Sequence, residues 1–242
     1  MQNLNYGVIG NCSTAALISE KGAIEWLCFP EFDSPSVFAA ILDRQKGGHF
    51  GFKVTSDYKV TQSYVPHTNI LSTHFESEEG AFDVVDFMPC YPTSDGKDFY
   101  RPAEIYRYIR WAKGRPRMKV DYRPAPNYAR GKTIYNVTSQ YVETYSSVEN
   151  KDRQYLYSSL DLKKVVNHDE ITLEKDEFFL FSFNEKVIPV DIEREKLEYC
   201  RTLVYWLNWT DHAKRYTRYN EVIERSMLVL KLMTYRNGAV MA

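Results

Sequence analysis

Up to about residue 190 the apolar and polar residues alternate in short runs; beyond it, apolar residues recur every three or four positions. A strand points successive side chains to opposite faces, whereas a helix gathers residues three and four apart on one side. The change of period therefore predicts many strands followed by helices. "TAALIS" (14–19) and "AIEWLCF" (23–29) flank "EKG", a hairpin signal. "GHFGFKV", "YKVTQSYV", "ILSTHFES" and "AFDVVDFM" continue the pattern, with "EEG" (78–80) as the turn between the last two. "EIYRYIRWA" and "RMKVDYRP" flank "KGRP", and "QYVETYSS", "QYLYSSLDL" and "EFFLFSFN" supply three more strands. This many short strands at this spacing predicts an antiparallel sandwich or barrel. One early stretch breaks the rule. In "SPSVFAAILD" (34–43) Ser34 can cap, Pro35 can take the first helical position, and Val37, Ala40 and Ile41 form an apolar side, so a short helix is expected.

The later part reads as two helices. "EREKLEYCRTLVYWLNW" (193–209) places Leu197, Cys200, Val204 and Leu207 on one helical stripe, widened by Trp206 and Trp209; Glu193, Glu195 and Glu198 read as a solvated first turn. "TDHAKRYTRY" (210–219) reads as a linker. "NEVIERSMLVLKLMTY" (220–235) is apolar on most sides, the mark of a buried helix. Three ways to cover it stand open: the β region, a second copy of the chain, or a further part of a longer protein.

Composition narrows the function classes. Of 242 residues, 44% are apolar and 26% charged, an ordinary globular balance. The net charge of −1 gives no basic footprint for nucleic acid. The densest basic run, "KGRPRMK" (113–119), reads as a solvated hairpin turn. "MQNLNYGVIGN" has neither the basic start nor the apolar core of a secretory signal, and no window reaches the ~20 apolar residues of a membrane span. The expected location is the cytoplasm. Cys12, Cys28, Cys90 and Cys200 fall at no metal-ligand spacing. A disulfide between Cys12 and Cys28 across a hairpin is one reading; buried free thiols fit better without a secretory signal. The five histidines show no i, i+4 pairing, so no metal and no cofactor is expected, and His74 reads as a satisfied structural residue. Asp83 and Asp86, three apart in a strand, face opposite sides and make no catalytic pair.

"IGNCSTAALISEKGAIEWLCFPEFDSPSVFAAILD" resembles the N-terminal region of bacterial and archaeal glycoside hydrolase family 15 proteins, the glucoamylases, glucodextranases and trehalase-like enzymes. "GGHFGF", "YVPHTNILSTHF", "DVVDFMP" and "RPAPNYARG" are also similar to that family, and "ERSMLVLKLMTYRNGAVMA" to the start of its catalytic domain. The resemblance implies a mainly β fold: an antiparallel, supersandwich-like β-sandwich over 1–190, a helical linker over 191–217, and over 218–242 the first helix of an (α/α)6 barrel whose remainder lies beyond this sequence. It implies inverting hydrolysis of an α-glucosidic bond. In such a reaction one carboxylic acid protonates the leaving oxygen while a carboxylate about 6.5–9.5 Å away activates water. In the family both glutamates belong to the barrel, downstream of the region that resembles this chain, so no catalytic residue is expected here. The expected partners are that barrel and, through it, an α-glucan, trehalose or another α-glucoside; neither nucleic acid nor membrane is expected, and a homo-oligomer stays open. Candidate contacts to substrate or barrel are Phe32, Asp33 and Ser34, because a simple turn in "PEFDSP" needs neither the aromatic ring nor the acid beside it. The alternative is a standalone carbohydrate-binding sandwich with Trp26, Phe29, Phe32 and Trp111 as a stacking platform, against which stands the expectation that Trp26 and Trp111 are core.

Overall fold

The computed structural model describes residues 5–241, apart from 56, 149, 150, 189 and 236. In chain order the strands begin with β1 (Tyr6–Gly10), β2 (Ala15–Ser19), β3 (Ile24–Cys28), β4 (Ser36–Phe38), β5 (His49–Lys53) and β6 (Lys59–Tyr64). β7 (Leu71–Ser77), β8 (Gly80–Phe87), β9 (Tyr91–Pro92), β10 (Phe99–Tyr100), β11 (Glu104–Gly114) and β12 (Arg117–Arg123) follow. The last strands are β13 (Thr133–Val137), β14 (Val142–Ser146), β15 (Gln154–Ser158), β16 (Glu170–Thr172) and β17 (Glu177–Phe183). The helices are α1 (Leu162–Asn167), α2 (Ile192–Asp211) and α3 (Asn220–Leu232).

The fold is mainly β and its ladders are antiparallel, as the alternating pattern requires. One sheet runs β1-β2-β3-β5-β12-β16 with β4 paired to β3; the other runs β13-β14-β15-β17-β11-β8-β7-β6. One hydrophobic cluster draws on both, with Ile18, Phe50 and Val120 from the first sheet and Phe82, Ile109, Phe179 and Phe181 from the second. The second sheet is buried on its other face too. Val85, Phe87, Tyr106, Tyr108, Phe178 and Leu180 point away from that core and join a second cluster with Tyr205 and Trp206 of α2 and Leu228 and Leu232 of α3. Burial on both faces explains why β17, "EFFLFSF", reads as a nearly continuous apolar run rather than clean alternation.

Arg107 joins the two sheets. Its guanidinium donates to Asp86 Oδ1 at 2.7 Å on the neighbouring strand, then crosses to the Phe50 carbonyl at 2.6 Å and the Gly22 carbonyl at 2.5 Å. It lies between the Phe50 and Phe52 rings, 4.7 and 4.8 Å from their centroids, and is wholly buried. Asp83, on the other side of the same strand, meets His74 Nδ1 at 2.7 Å. The two aspartates do face opposite ways, and His74 is a satisfied structural residue.

Several expectations need correction. Residues 34–43 form no helix. Ser36–Phe38 pair with β3, and the Ala39 and Ala40 amides donate to the Gly47 and Gly48 carbonyls at 2.7 and 3.1 Å. Two turns of apolar side are too little to hold a helix against a long-range ladder that buries Ser36, Val37 and Phe38 completely. The "LDL" end of the expected strand over "QYLYSSLDL" instead leads into α1, capped by Asp161, whose side chain accepts from the Lys163 amide. The cysteines are free thiols, as preferred over a Cys12–Cys28 disulfide, and buried at Cys12, Cys28 and Cys90, but Cys200 is exposed. Trp111 is exposed and Trp26 half-buried, so neither is a core tryptophan.

The largest reversal is the orientation of α2. Its side chains against the protein are Glu195, Glu198, Thr202, Tyr205, Trp206 and Thr210. The apolar stripe faces outward, with Leu197 48% and Val204 63% exposed. The three glutamates do not form one solvated turn: Glu193 stays out, while Glu195 and Glu198 are buried. The surface that receives the helix offers the reason, since β9 presents the hydroxyl of Tyr91, and β11 of the second sheet the hydroxyl of Tyr106 and the carboxyl of Glu104, to its polar side.

The last helix packs on the β region. Leu232 rests on Gly10, where a Cβ would meet Leu232 Cδ2 at 2.8 Å and the Thr14 carbonyl at 2.6 Å, so only glycine admits the helix there. Asn69 donates to the Leu228 carbonyl at 3.0 Å, Arg225 donates to the Thr68 carbonyl at 2.9 Å and to Asn69, and His67 meets Glu224 at 2.8 Å. Covering is incomplete: Val222 and Leu230 remain exposed on the opposite side.

Candidate functional site

The main concavity is an open groove of about 1550 Å³ between the β9–β10 hairpin, α2 and the end of α3. The hairpin folds out of the segment 88–103 because Thr93 Oγ1 bonds Asp95 and accepts from the Asp98 amide, closing a tight turn. It sets Tyr91 and Tyr100 side by side, ring centroids 5.1 Å apart, against α2. From the helix come Arg194, Glu198, Arg201, Tyr205 and Trp209, on successive turns of one side.

Glu198, Arg201 and Arg194 in the groove wall have bonded partners. Tyr91 Oη donates to Glu198 Oε2 at 2.7 Å, and Arg201 donates to Glu198 Oε1 at 3.1 Å while its guanidinium lies 5.5 Å from the Tyr91 ring centroid. Burial, reinforced by the hydrogen bond to Glu198, pushes the Tyr91 phenol up. Arg194 donates to Tyr106 Oη at 3.2 Å and Tyr100 Oη at 3.4 Å, and Tyr106 in turn donates to Glu104 at 2.8 Å. Burial pushes the Tyr100 phenol to about 12, with the Glu104 charge adding to it.

Behind this wall lies a carboxyl of another kind. Glu195 is buried, and neither of its oxygens has a hydrogen-bond partner. Its carboxyl is raised well above the usual range, first by burial, then by the charges of Asp86, Glu104 and Glu198, with Arg194 opposing. The site therefore favours the protonated carboxyl. It does not line the groove, so it gives the groove no general acid. Glu198 lines it but has both oxygens engaged. The arrangement can stack flat or polar-ringed partners on Tyr91, Tyr100 and Trp209 and hydrogen-bond hydroxyls; it shows no pair of free carboxyls for hydrolysis. Among the described residues no cluster of His, Cys, Asp and Glu is placed to hold a metal ion, and no helix is long and apolar enough to cross a membrane.

The expected contact residues lie elsewhere. Phe32, Asp33 and Ser34 do not line the groove. Their loop is tied to the β1–β2 connection by the Phe32 amide donating to the Ser13 carbonyl at 3.0 Å, and Ser34 Oγ accepts from the Glu31 amide at 3.1 Å. The Phe32 ring meets Tyr235 edge-on, centroids 5.4 Å apart, and Asp33 is exposed. The supposed stacking platform is not assembled either. Phe29 is buried against Phe181, and no ring contact joins any two of Trp26, Phe29, Phe32 and Trp111 among the described residues. The basic run is neutralised: Lys113 pairs with Glu76 at 2.7 Å, Arg115 with Glu174 at 2.6 Å, and Arg117 with Glu79. The inward face of α2 carried one readable signal. Glu195, Glu198, Thr202 and Tyr205, spaced by three and four, form a second helical stripe as regular as the apolar one.

Comparison with known proteins gives these features a family. A trehalase of Thermoplasma acidophilum is 29% identical over 234 residues, covering 93% of this chain and 39% of that protein. A trehalase of Mycolicibacterium smegmatis is 26% identical over 269 residues, covering 98% of this chain and 39% of its own length. Trehalase 1 of Sulfolobus acidocaldarius is 51% identical over a shorter stretch of 85 residues, 34% of this chain and 14% of that protein. The chain thus spans about two fifths of the length of the Thermoplasma acidophilum and Mycolicibacterium smegmatis relatives. Residues 5–150, more than half of the chain, match the family described as trehalase-like, N-terminal, and the chain belongs to that family.

Proposed function

We propose that this chain is the N-terminal scaffold of an inverting α-glucoside hydrolase of the glycoside hydrolase family 15 kind, acting in the cytoplasm and without hydrolase activity by itself. In this reading 1–190 form a β-sandwich domain, 191–217 a helical linker, and 218–242 the start of an (α/α)6 catalytic barrel that carries both catalytic glutamates. Trehalose is the first substrate to test, because the matched relatives are named trehalases.

The observation that carries the proposal is the outward apolar side of α2 and α3. Leu197, Val204, Val222 and Leu230 are each about half exposed or more, on the same helices that border the groove. Exposed apolar side chains gathered on one side of a helix mark an interaction surface. The share of the relatives that this chain leaves unmatched is ample for a helical body to cover it. The Phe32–Tyr235 contact supports a role for the 32–34 loop at the same border, with Phe32 at the domain interface and Asp33 free to reach barrel backbone or a sugar hydroxyl.

The test adds this chain to the separately produced C-terminal part of the Thermoplasma acidophilum trehalase and measures complex formation and trehalose hydrolysis. Association and a gain of activity are expected. Neither binding nor activity, with that partner shown to be folded, would overturn the proposal. A second reading rests on the aromatic wall of Tyr91, Tyr100 and Trp209: the groove itself binds sugar. Calorimetry with trehalose and maltooligosaccharides separates the two, since micromolar binding by the chain alone favours the second. Light scattering on the same sample tests a homodimer that buries the α3 helices mutually, which a clean monomer excludes.

A further inference from the structure

Two of the four cysteines lie together although 78 positions separate them. Cys12 Sγ and Cys90 Sγ are 3.9 Å apart. Cys12 sits in the connection after β1 and Cys90 just after β8, so the pair joins the edge of one sheet to the end of a central strand of the other. Cys12 adopts a left-handed conformation with φ of 65°, held by Asn11, whose Oδ1 accepts from the Ser13 and Thr14 amides at 3.1 Å. That turn aims the thiol at Cys90. The hydrogen bonds form a chain: the Cys90 thiol donates to Cys12, and the Cys12 thiol donates to the Lys231 carbonyl at 3.4 Å. Tyr205, a groove residue, lies in hydrogen-bond contact with Cys90, so the pair sits directly behind the groove wall.

We propose that Cys12 and Cys90 are a redox site that closes to a disulfide under a peroxide oxidant. A disulfide needs its sulfurs at about 2 Å, so the two side chains must close by about the same amount, which rotation about Cα–Cβ can supply. The balance is simple. The Cys12 thiolate attacks one oxygen of hydrogen peroxide, forming a sulfenic acid and expelling hydroxide, which takes up the proton released by Cys12 to give water. Cys90 gives up its proton and attacks the Cys12 sulfur; the S–S bond forms and the sulfenic oxygen leaves as a second water. Two thiols are oxidised by two electrons and one peroxide is reduced. The roles follow from the surroundings. The hydrogen bond from Cys90 lowers the Cys12 thiol, with Lys231 and Arg101 adding positive charge, whereas the same bond and burial raise Cys90. Cys12 is the attacking sulfur and Cys90 the resolving one.

Closure has a structural consequence. It removes the only thiol proton that Lys231 receives from Cys12, and so exchanges a contact to the end of α3 for a covalent link between the sheets. Cys28 is buried away from the pair, with its thiol raised to about 11 by burial and the nearby Asp33, and so is the inert internal control. Cys200 is exposed and open to links between molecules, so it is best removed.

The experiment treats the folded chain carrying Cys200→Ser with stepwise hydrogen peroxide, then denatures it for thiol counting and peptide mapping. The expected result is a fall from three thiols to one, a mass loss of about 2 Da, and a linked peptide pair containing Cys12 and Cys90. The same link is expected in the unsubstituted chain and is lost in Cys90→Ala. Three surviving thiols, a link to Cys28, or Cys12 carried to sulfinic acid with Cys90 still reduced would each overturn the proposal. So would equal formation of the 12–90 link in denaturant, since the pairing would then owe nothing to the fold.

Discussion

Two buried carboxyls lie on opposite sides of the same sheet, and the protein treats them in opposite ways. Asp86, on the inner side of β8, meets Arg107 through both oxygens, and the arginine spends its other donors on carbonyls of the facing sheet. Glu195, brought to the outer side by α2, has no partner for either oxygen. The inner interface is thus closed by a satisfied ion pair that requires both sheets at once. The outer interface depends on a carboxyl that must keep its proton. The first holds its own counterion, Arg107, which opposes the burial that raises the Asp86 carboxyl, and it is intolerant of substitution; the second has no bonded partner and tolerates substitution.

The largest effect should come from breaking the inner pair. Arg107→Leu leaves Asp86 buried without a counterion and two carbonyls without donors, which should cost about 3–5 kcal/mol of unfolding free energy. The denaturation midpoint measures it, and a loss within experimental error would remove the contrast drawn here. The outer side is tested by pH. Because the folded-state pKa of Glu195 is raised, the folded chain keeps a proton that the unfolded chain has lost once pH passes about 4.3. Stability should therefore fall as pH rises from there toward the folded value, by up to about 1.4 kcal/mol per pH unit. Glu195→Gln should flatten that slope and leave the chain more stable than its parent at neutral pH. Asp121 provides the opposite sign. Burial pushes its carboxyl up, but hydrogen bonds from Lys53, His49 and Arg123 outweigh burial and hold it well below the usual range. Its contribution is complete above about pH 4 and is lost only as pH drops below that, so the two carboxyls separate in one titration.

The smallest stability effect belongs to the outward stripe. Leu197→Ser with Val204→Ser should change the stability of this chain by no more than about 0.5 kcal/mol per site, because both side chains are already largely in water. The same variant should lose association with a catalytic partner in the mixing experiment. Unchanged association would place the docking surface elsewhere.

The strands were legible because alternation is local. "TAALIS", "ILSTHFES" and "AFDVVDFM" each carry the period that β2, β7 and β8 realise. So were the existence and extent of α2 and α3. What local pattern could not convey was which side of α2 turns inward. Apolar residues normally take the inner side, yet here the surface awaiting the helix presents Tyr91, Tyr106 and Glu104, drawn from segments about a hundred residues upstream. Residues 34–43 failed for the same reason: Gly47, Gly48 and β3 supplied backbone partners that a stripe of three apolar residues did not reveal. The groove was illegible in its parts, because Tyr91 and Tyr100 become neighbours of Glu198 and Arg201 only after the hairpin folds onto the helix. Arg107 was hidden in a strand that looked apolar, and its cross-strand match to Asp86 emerges only from the register.

The notch at Gly10 also sets a clock. The side chain that fills it, Leu232, is made more than two hundred residues after Gly10. At roughly 5–20 residues per second, the first strand waits on the order of ten seconds or more before its neighbour exists. During that interval Gly10, Cys12 and the turn at Thr68–Asn69 stand uncovered on a nascent chain. Whatever attends that chain at the ribosome meets, as open surface, the residues that later form a tightly fitted seam.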